Sequence, residues 1–242
     1  MHEHRFFAES ELPVGGEIAL SPDEAHHVTR VLRLGVDQRV VLFNGEGLEA
    51  EGRITKATPS EVMVEIRRQW VTPMSPPPAI HLLVPWLKQP QRLDWLIEKA
   101  AEIGVTQIGV HGAPRGGEAR RSERWRRLTI AAAKQSGQAR LTRVSVIGEP
   151  LGAGTVAGLR VLLSERAGAP PLRQALPPDP PELIALLVGP ERGWSDGEIA
   201  EALRSGWVAA SLGPSRLRSE TAALAALAGV RALFPGGQVE EG

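Results

Sequence analysis

The sequence predicts an α/β protein: a mostly parallel sheet with helices on both faces, preceded by a smaller region built of strands. Three observations carry this. Short strand-like runs broken by turn residues fill the first 70 residues, the proline-dense stretch "VTPMSPPPAI" follows, and from Ile80 onward apolar runs alternate with helical segments. Strands buried on both faces read as continuous apolar runs, whereas half-exposed strands alternate residue by residue.

In the first region "EIAL", "RVVLFNGEG", "EAEGRITKA" and "SEVMVEI" read as strands. Asn44-Gly45 followed by Glu46-Gly47 supplies residues that accept the backbone of a hairpin turn. A small β-barrel or sandwich is expected. One helix interrupts it, "SPDEAHHVTRVLRL", with Ser21 as N-cap, Pro22 at the first helical position, and Asp23 and Glu24 at the positive end of the dipole. The proline-dense stretch carries no charge and reads as a semi-rigid extended connection. The expected division is therefore a first domain over residues 1–72 and a second over residues 73–242, with residues 71–79 as linker.

The second region opens with the strand "IHLLVP". The helix "QRLDWLIEKAAEIG" follows, placing Leu93, Leu96, Ile97, Ala100 and Ile103 on one face with Gly104 as its C-terminal stop. "VTQIGVHG" is a strand and "SERWRRLTIAAAKQSG" a second helix. "RVSVI", "RVLLSE", "ELIALLVG" and "WVAASLG" complete the set of strands.

Composition narrows the function. The 28 Lys and Arg residues balance 28 Asp and Glu, so a nucleic-acid role needs a local patch rather than a net charge. With no cysteine, disulfides, thiolate nucleophiles and cysteine-based zinc sites are excluded, and a cytoplasmic location is the expectation. "MHEHRFFAES" lacks the apolar core of a signal peptide, and the most apolar run, "LIALLV", is too short to span a bilayer. His26 and His27 are adjacent, so on a helix they point about 100° apart and cannot share a metal; no metal is expected. Glu98 and Glu102, with Lys99 and Arg92 nearby, read as an exposed ion-pair face or a dimer contact.

Two strand ends share one design. "LIALLVGPERGWSDGEIA" runs strand, Gly189-Pro190, loop, then Ser195 and Glu198 spaced as a capping box; "WVAASLGPSRLRSETAAL" repeats the plan. A third strand ends in "SERAGAPPL". Ligands of parallel α/β sheets bind beyond the carboxyl ends of strands, where glycine lets the backbone come close. Neither GxxxxGK[ST] nor GxGxxG occurs, and the prolines after Gly189 and Gly213 remove N–H donors that a phosphate cradle needs. The loops suit an adenine and ribose better than a triphosphate, although Gly-Pro alone can simply end a strand.

At the residue level "GPERGWS" is similar to the Gly-Pro-Glu-Gly-Gly loop, and "LGPSRLRSETA" resembles the Leu-Gly-x-x-x-Leu-Arg-x-Glu-Thr-Ala signature, of the SPOUT-superfamily small-subunit (16S) ribosomal RNA uridine-N3 methyltransferases. "RLDWLIEKAAEIGV" and "HHVTRVLRLGVDQRVVLFNGEG" extend the likeness over most of the chain. The resemblance implies an N-terminal PUA-like β-barrel and a C-terminal SPOUT-type parallel α/β domain with a deep trefoil knot. It implies a homodimer that binds S-adenosyl-L-methionine in the knot. Carried over residue by residue, it puts Leu163, Ser164, Glu165, Gly189, Glu191, Gly193, Leu212, Gly213, Leu217 and Arg218 around the methyl donor. Three departures stand out. Arg192 replaces a glycine, "KQSGQ" from Lys134 to Gln138 stands for Glu-Gln-Ser-Gly-Arg, and "GAPR" keeps only Arg115 of Ser-Glu-Arg.

Between residues 115 and 143 nine basic residues face two acidic ones, Glu118 and Glu123, a local charge of plus seven. Such a cluster fits phosphate contacts, and Arg115, Arg120, Arg121 and Arg124 are its core candidates, with Arg30 and Arg33 a second group. The reaction the resemblance implies is methylation of uridine N3 in ribosomal RNA. That nitrogen carries a proton that must leave, so Arg216 and Arg218 are expected to supply a positive field and Glu220 to be the nearest base, or else a first-turn helix carboxylate. N3 is buried in a Watson-Crick pair, so the target must be unpaired or flipped. A catalytically degenerate RNA-binding protein, or an enzyme of the superfamily acting on ribose 2′-hydroxyl or transfer RNA, are the alternatives.

Overall fold

The computed structural model describes residues 4–74, 77–151, 158–166 and 168–235; of the expected linker, Ser75 and Pro76 lie outside this set. The chain divides into two compact units, Met1–Met74 with Ala133–Leu141, and Ser75–Ala132 with Thr142–Gly242.

The first unit is a five-stranded sheet of β1 (Arg5–Phe7), β2 (Glu17–Ala19), β3 (Arg39–Phe43), β4 (Leu48–Thr58) and β5 (Glu61–Val71), in the order β1-β3-β4-β5-β2. Neighbours are antiparallel except β1, which runs parallel to β3 with Arg5 opposite Val41. The β3–β4 hairpin closes where Asn44 and Gly45 predict it: Asn44 Oδ1 accepts from the N–H of Glu46 at 2.8 Å and of Leu48 at 3.1 Å, and Gly45 adopts φ 81°. β1 escapes sequence reading because three residues, "RFF", show no alternation; only the partner strand defines it.

The predicted helix is present but divided. Ser21 Oγ accepts from Glu24 N at 3.3 Å to start α1 (Pro22–His26), and the next five residues, His27–Val31, form a π turn. Val28 points into the apolar cluster of Phe6, Leu42, Val64 and Ile66, while Arg30 and Val31 stay outside.

The second unit contains β6 (Ala79–Pro85), α2 (Pro90–Glu102), β7 (Gln107–His111), α3 (Glu118–Ser136, its last residues counted with the first unit), β8 (Arg143–Val146), β9 (Leu159–Leu163), α4 (Leu172–Ala175), β10 (Leu183–Leu187), α5 (Asp196–Arg204), β11 (Val208–Ala210) and α6 (Ser219–Leu233). The strands form one sheet in the order β11-β9-β10-β6-β7-β8, every neighbouring pair parallel. Alternate residues serve opposite faces. Leu82 and Val84 pack with Leu93, Leu96, Ile97, Ala223 and Leu227 from α2 and α6, while Leu83 packs with Ala185, Leu187, Ala202 and Trp207 on the other side. Hydrophobic burial on both faces is why these strands read as unbroken apolar runs. α3 starts at Glu118, four residues before the Ser122 that the sequence suggests.

Candidate functional site

β11, β9 and β10 are neighbours, so their carboxyl ends leave the sheet side by side. Each continues into one of the loops singled out by sequence: residues 164–166 after β9, 188–194 after β10, and 211–218 after β11. Together with Gln89, Arg92 and the start of α6 they enclose a cavity of about 560 Å³. Leu163, Ser164, Glu165, Gly189, Glu191, Gly193, Leu212, Gly213, Leu217 and Arg218 all line it, as does Arg216. Parallel strand order alone brings these distant segments to one place.

The loops hold one another. Ser219 Oγ donates to the carbonyl of Gly189 at 3.1 Å, tying the start of α6 to the β10 loop. Trp194 Nε1 donates to the carbonyl of Leu163 at 3.0 Å, tying the β10 loop to the end of β9. The indole stacks on the buried His111 ring at 6.4 Å, and a Cβ at Gly189 would lie 2.9 Å from Trp194 Nε1. Glycine is thus required at 189 by close approach, and at 193 by φ of 74°. Burial lowers the His111 pKa, and its Nε2 lies 3.2 Å from the Val188 carbonyl, an oxygen that can only accept, so Nε2 carries the proton of that bond. Trp194 stands inside "GPERGWS", but nothing in that motif marks its locking role, which depends on the partners Leu163 and His111 from other strands.

Arginines from one loop meet carboxylates of another around the opening. Arg216 Nε is 3.3 Å from Glu165, and Arg166 pairs with Asp196. Arg192, the residue that replaces a glycine, also lines the cavity and donates to Glu198 at 3.0 Å, joining the capping box in which Ser195 and Glu198 bond reciprocally. Arg192, then the Ser195 hydroxyl and N–H, hold the Glu198 carboxyl down at about 2.

Arg92 departs from the ion-pair face that its place near Glu98 and Glu102 predicts. Lys99 pairs with Glu98 at 2.8 Å and Glu102 at 2.6 Å, as an ion-pair face should, but Arg92 leaves that group. It grips Glu220 with Nε at 2.9 Å and Nη2 at 2.7 Å, and reaches Glu191 with Nη1 at 3.0 Å. Glu220 is 7% exposed, and its carboxylate faces Arg92 rather than lining the cavity. Burial pushes its pKa up, but the hydrogen bonds from Arg92 and from its own N–H, with the charges of Arg92 and Arg218, outweigh that and leave it lowered. No local pattern marks this pair, because 128 residues separate its members.

The basic cluster is also redistributed. Arg115 and Arg120 are exposed, as are Arg30 and Arg33. Arg121 lies over the Trp86 ring at 5.3 Å and donates to the Pro114 carbonyl at 3.1 Å, and Arg124 pairs with Asp94. Lys134 pairs with the buried Glu24 at 2.6 Å, and Arg140 donates to the carbonyls of Glu46 and Thr72, all within the first unit. Counting only Glu118 and Glu123 as available acids overstated the free charge, because folding brings Asp94 and Glu24 from elsewhere in the chain.

Two families match the chain. One, described as an RNA methyltransferase domain, covers residues 74–231, and the other, an RNA methyltransferase PUA domain, covers residues 20–67. Ribosomal RNA small subunit methyltransferase E of Rickettsia conorii is 31% identical, covering 96% of this chain and 97% of its own length. The protein of that name in Mycobacterium tuberculosis is 29% identical over 94% of this chain and 91% of its own. Among solved structures, the chain is similar to ribosomal RNA small subunit methyltransferase E of Neisseria gonorrhoeae bound to S-adenosyl methionine, with TM-score 0.85, 30% identity, and coverage of 96% and 98%. A putative methyltransferase of Legionella pneumophila, in complex with the same cofactor, also gives TM-score 0.85, at 29% identity and the same coverage.

Proposed function

The chain belongs to the RNA methyltransferase family, and on that premise we propose that it methylates N3 of a uridine in small-subunit ribosomal RNA, using S-adenosylmethionine. One observation carries the reading: the ten residues that the family resemblance carries over to the methyl donor converge on a single cavity at the carboxyl ends of three adjacent parallel strands.

The lining fits that donor. Leu163, Leu212 and Leu217 offer apolar contact for an adenine, Glu165 and Glu191 offer acceptors for hydroxyl and ammonium groups, and Gly189, Gly193 and Gly213 leave backbone accessible. When bound, S-adenosylmethionine supplies an electrophilic methyl group. The chain's own task is to favour loss of the N3 proton. Arg216 and Arg218, both exposed on the loop before α6, set a positive field for charge developing on O2 and O4 of the uracil. Glu220 acts through Arg92, which it fixes beside that loop; a carboxylate so paired is a weak proton acceptor.

The assembly that goes with this reading is a homodimer in the cytoplasm. Its first domain, over residues 1–72, is a PUA-like barrel that contacts RNA, and its second, over residues 73–242, threads a trefoil knot around the cavity. Arg30, Arg33, Arg115, Arg120, Arg121 and Arg124 are the proposed RNA contacts, of which Arg30, Arg33, Arg115 and Arg120 are exposed and form no ion pair among the described residues. Titration calorimetry with S-adenosylmethionine, followed by mass-spectrometric mapping of ribosomal RNA treated with the protein, tests the proposal. Binding without any methylated uridine would reduce it to a cofactor-binding RNA module.

A further inference from the structure

Five arginines line the cavity against two glutamates, Glu165 and Glu191, an excess of three positive charges. S-adenosylmethionine does not call for that excess, because its sulfonium and ammonium groups outweigh its single carboxylate. Like charges repel, so the surplus cations suit an anionic ligand instead. On the RNA methyl-transfer reading above, we propose that Arg166 and Arg192 form a phosphate subsite at the mouth of the cavity, which grips the backbone of single-stranded RNA beside the nucleotide that enters.

The two arginines stand on different loops, Arg166 after β9 and Arg192 after β10, and both anchor on the first turn of α5. Arg166 pairs with Asp196 and Arg192 with Glu198. Neither carboxylate lines the cavity, as both arginines do. The side chains of Arg166 and Arg192 are 44% and 63% exposed, against 24% for Arg92, which places them at the rim rather than the floor. Of the five N–H groups of a guanidinium, Glu198 takes two from Arg192 and the Gly193 carbonyl a third, which leaves two for a ligand among the described residues. Glu198 is itself fixed by the capping box with Ser195, so the fork is ordered before RNA arrives and little freedom is lost on binding.

The chemistry selects phosphate. A guanidinium fork matches two oxygens of a phosphodiester, and such contacts hold a strand in register without reading its bases. Uracil N3 is reachable only in an unpaired or flipped nucleotide, whose neighbouring phosphates must then come to the mouth. Cations on the β9 and β10 loops meet that backbone, while Arg216 and Arg218 on the β11 loop meet the base. Arg192 sharpens the distinction. The loop that "GPERGWS" resembles has glycine there, and a cofactor of net positive charge gains nothing from a cation in its place.

The test measures binding of the full-length protein to small-subunit ribosomal RNA and to a short oligouridylate over a salt series, with S-adenosylmethionine present. Arg192→Gln should flatten the slope of log affinity against log salt by about 0.7, and Arg166→Gln with Arg192→Gln by about twice that, the counterion release of one and two single-strand phosphates. The single change then weakens binding by about 5-fold at about 0.1 M salt relative to its effect at about 1 M. Calorimetry should show S-adenosylmethionine bound as tightly or more tightly, since a repelling cation is gone. Glu198→Gln, which can still complete the capping box but releases Arg192, should keep the wild-type slope. An unchanged slope in the double variant, or no binding of either RNA by wild type, would overturn the inference. So would an equal flattening in Glu198→Gln or a parallel loss of cofactor affinity, because the shape of the loop rather than its charge would then be the cause. If the wild-type protein methylates no ribosomal RNA, the function reading fails instead, and the oligouridylate slopes still decide the subsite.

Discussion

Arg92 on α2 and Glu220 on α6, 128 residues apart, form a two-point ion pair at 2.7 and 2.9 Å on the edge of the cavity. Arg92 is a quarter exposed and Glu220 nearly buried, so loss of the arginine would strand a carboxylate in a poorly hydrated place.

Arg92→Ala should therefore destabilise the protein by about 2 kcal/mol at neutral pH, below the full cost of a buried pair because the arginine is partly solvated. The pH dependence has a definite sign. The folded pKa of Glu220 lies below its ordinary value, so its contribution is complete above that ordinary value and fades as pH falls through the folded one. Urea unfolding across pH should show the deficit of Glu220→Gln shrinking in acid.

The same pairing makes a statement about catalysis. Glu220→Gln should lower the methylation rate while leaving the shape of the pH–rate profile as in wild type, because Glu220 is already ionised and engaged. Recovery of the variant's activity at high pH would instead assign N3 proton removal to Glu220. Arg218→Ala should cut the maximal rate by about 100- to 1,000-fold, the usual loss for one preorganised electrostatic partner, with a smaller effect on cofactor affinity. Steady-state kinetics at saturating S-adenosylmethionine separates the two.

At the start of α5, Ser195→Ala should cost about 1 kcal/mol, the typical worth of an N-cap hydroxyl. Glu198, held at about 2, stabilises the fold fully above its ordinary value of 4.5 and loses that contribution as pH falls from 4.5 toward 2. Thermal unfolding should accordingly show Glu198→Gln weaker than wild type at pH 7, with the deficit shrinking from pH 4.5 downward and vanishing only below the folded pKa of about 2.

Among the arginines near α3, exposure separates two kinds of behaviour. Arg115→Ala with Arg120→Ala should reduce the slope of log affinity for RNA against log salt by about two units or slightly less, without a change in stability. Arg121→Ala should act on stability, by about 1 kcal/mol, because it gives up the contact with Trp86 and the bond to the Pro114 carbonyl. Filter binding over a salt series, beside melting curves, distinguishes them; an unchanged salt slope in the double variant would make that surface an ordinary solvated face.

What the sequence determined by itself is local or motif-borne. Asn44-Gly45 dictated a hairpin and Ser21-Pro22 a helix start, and Ser195 with Glu198 dictated a capping box, because turn and cap energies act over two to four residues. Unbroken apolar runs announced a parallel sheet, since both faces had to be buried. The two signature loops named seven residues, and the resemblance at the end of β9 three more, that the fold then gathered around one cavity. The tertiary structure decided which charges are spoken for. Arg92 left its helical neighbours for Glu220, Lys134 found Glu24, Arg124 found Asp94, and Trp194 locked the loops by bonding Leu163. Each of these partners is 30 or more residues away, and long charged or aromatic side chains carry no periodic signal of where they will end. Their positions depend on strand order and helix placement, which arise only when the whole sheet is assembled.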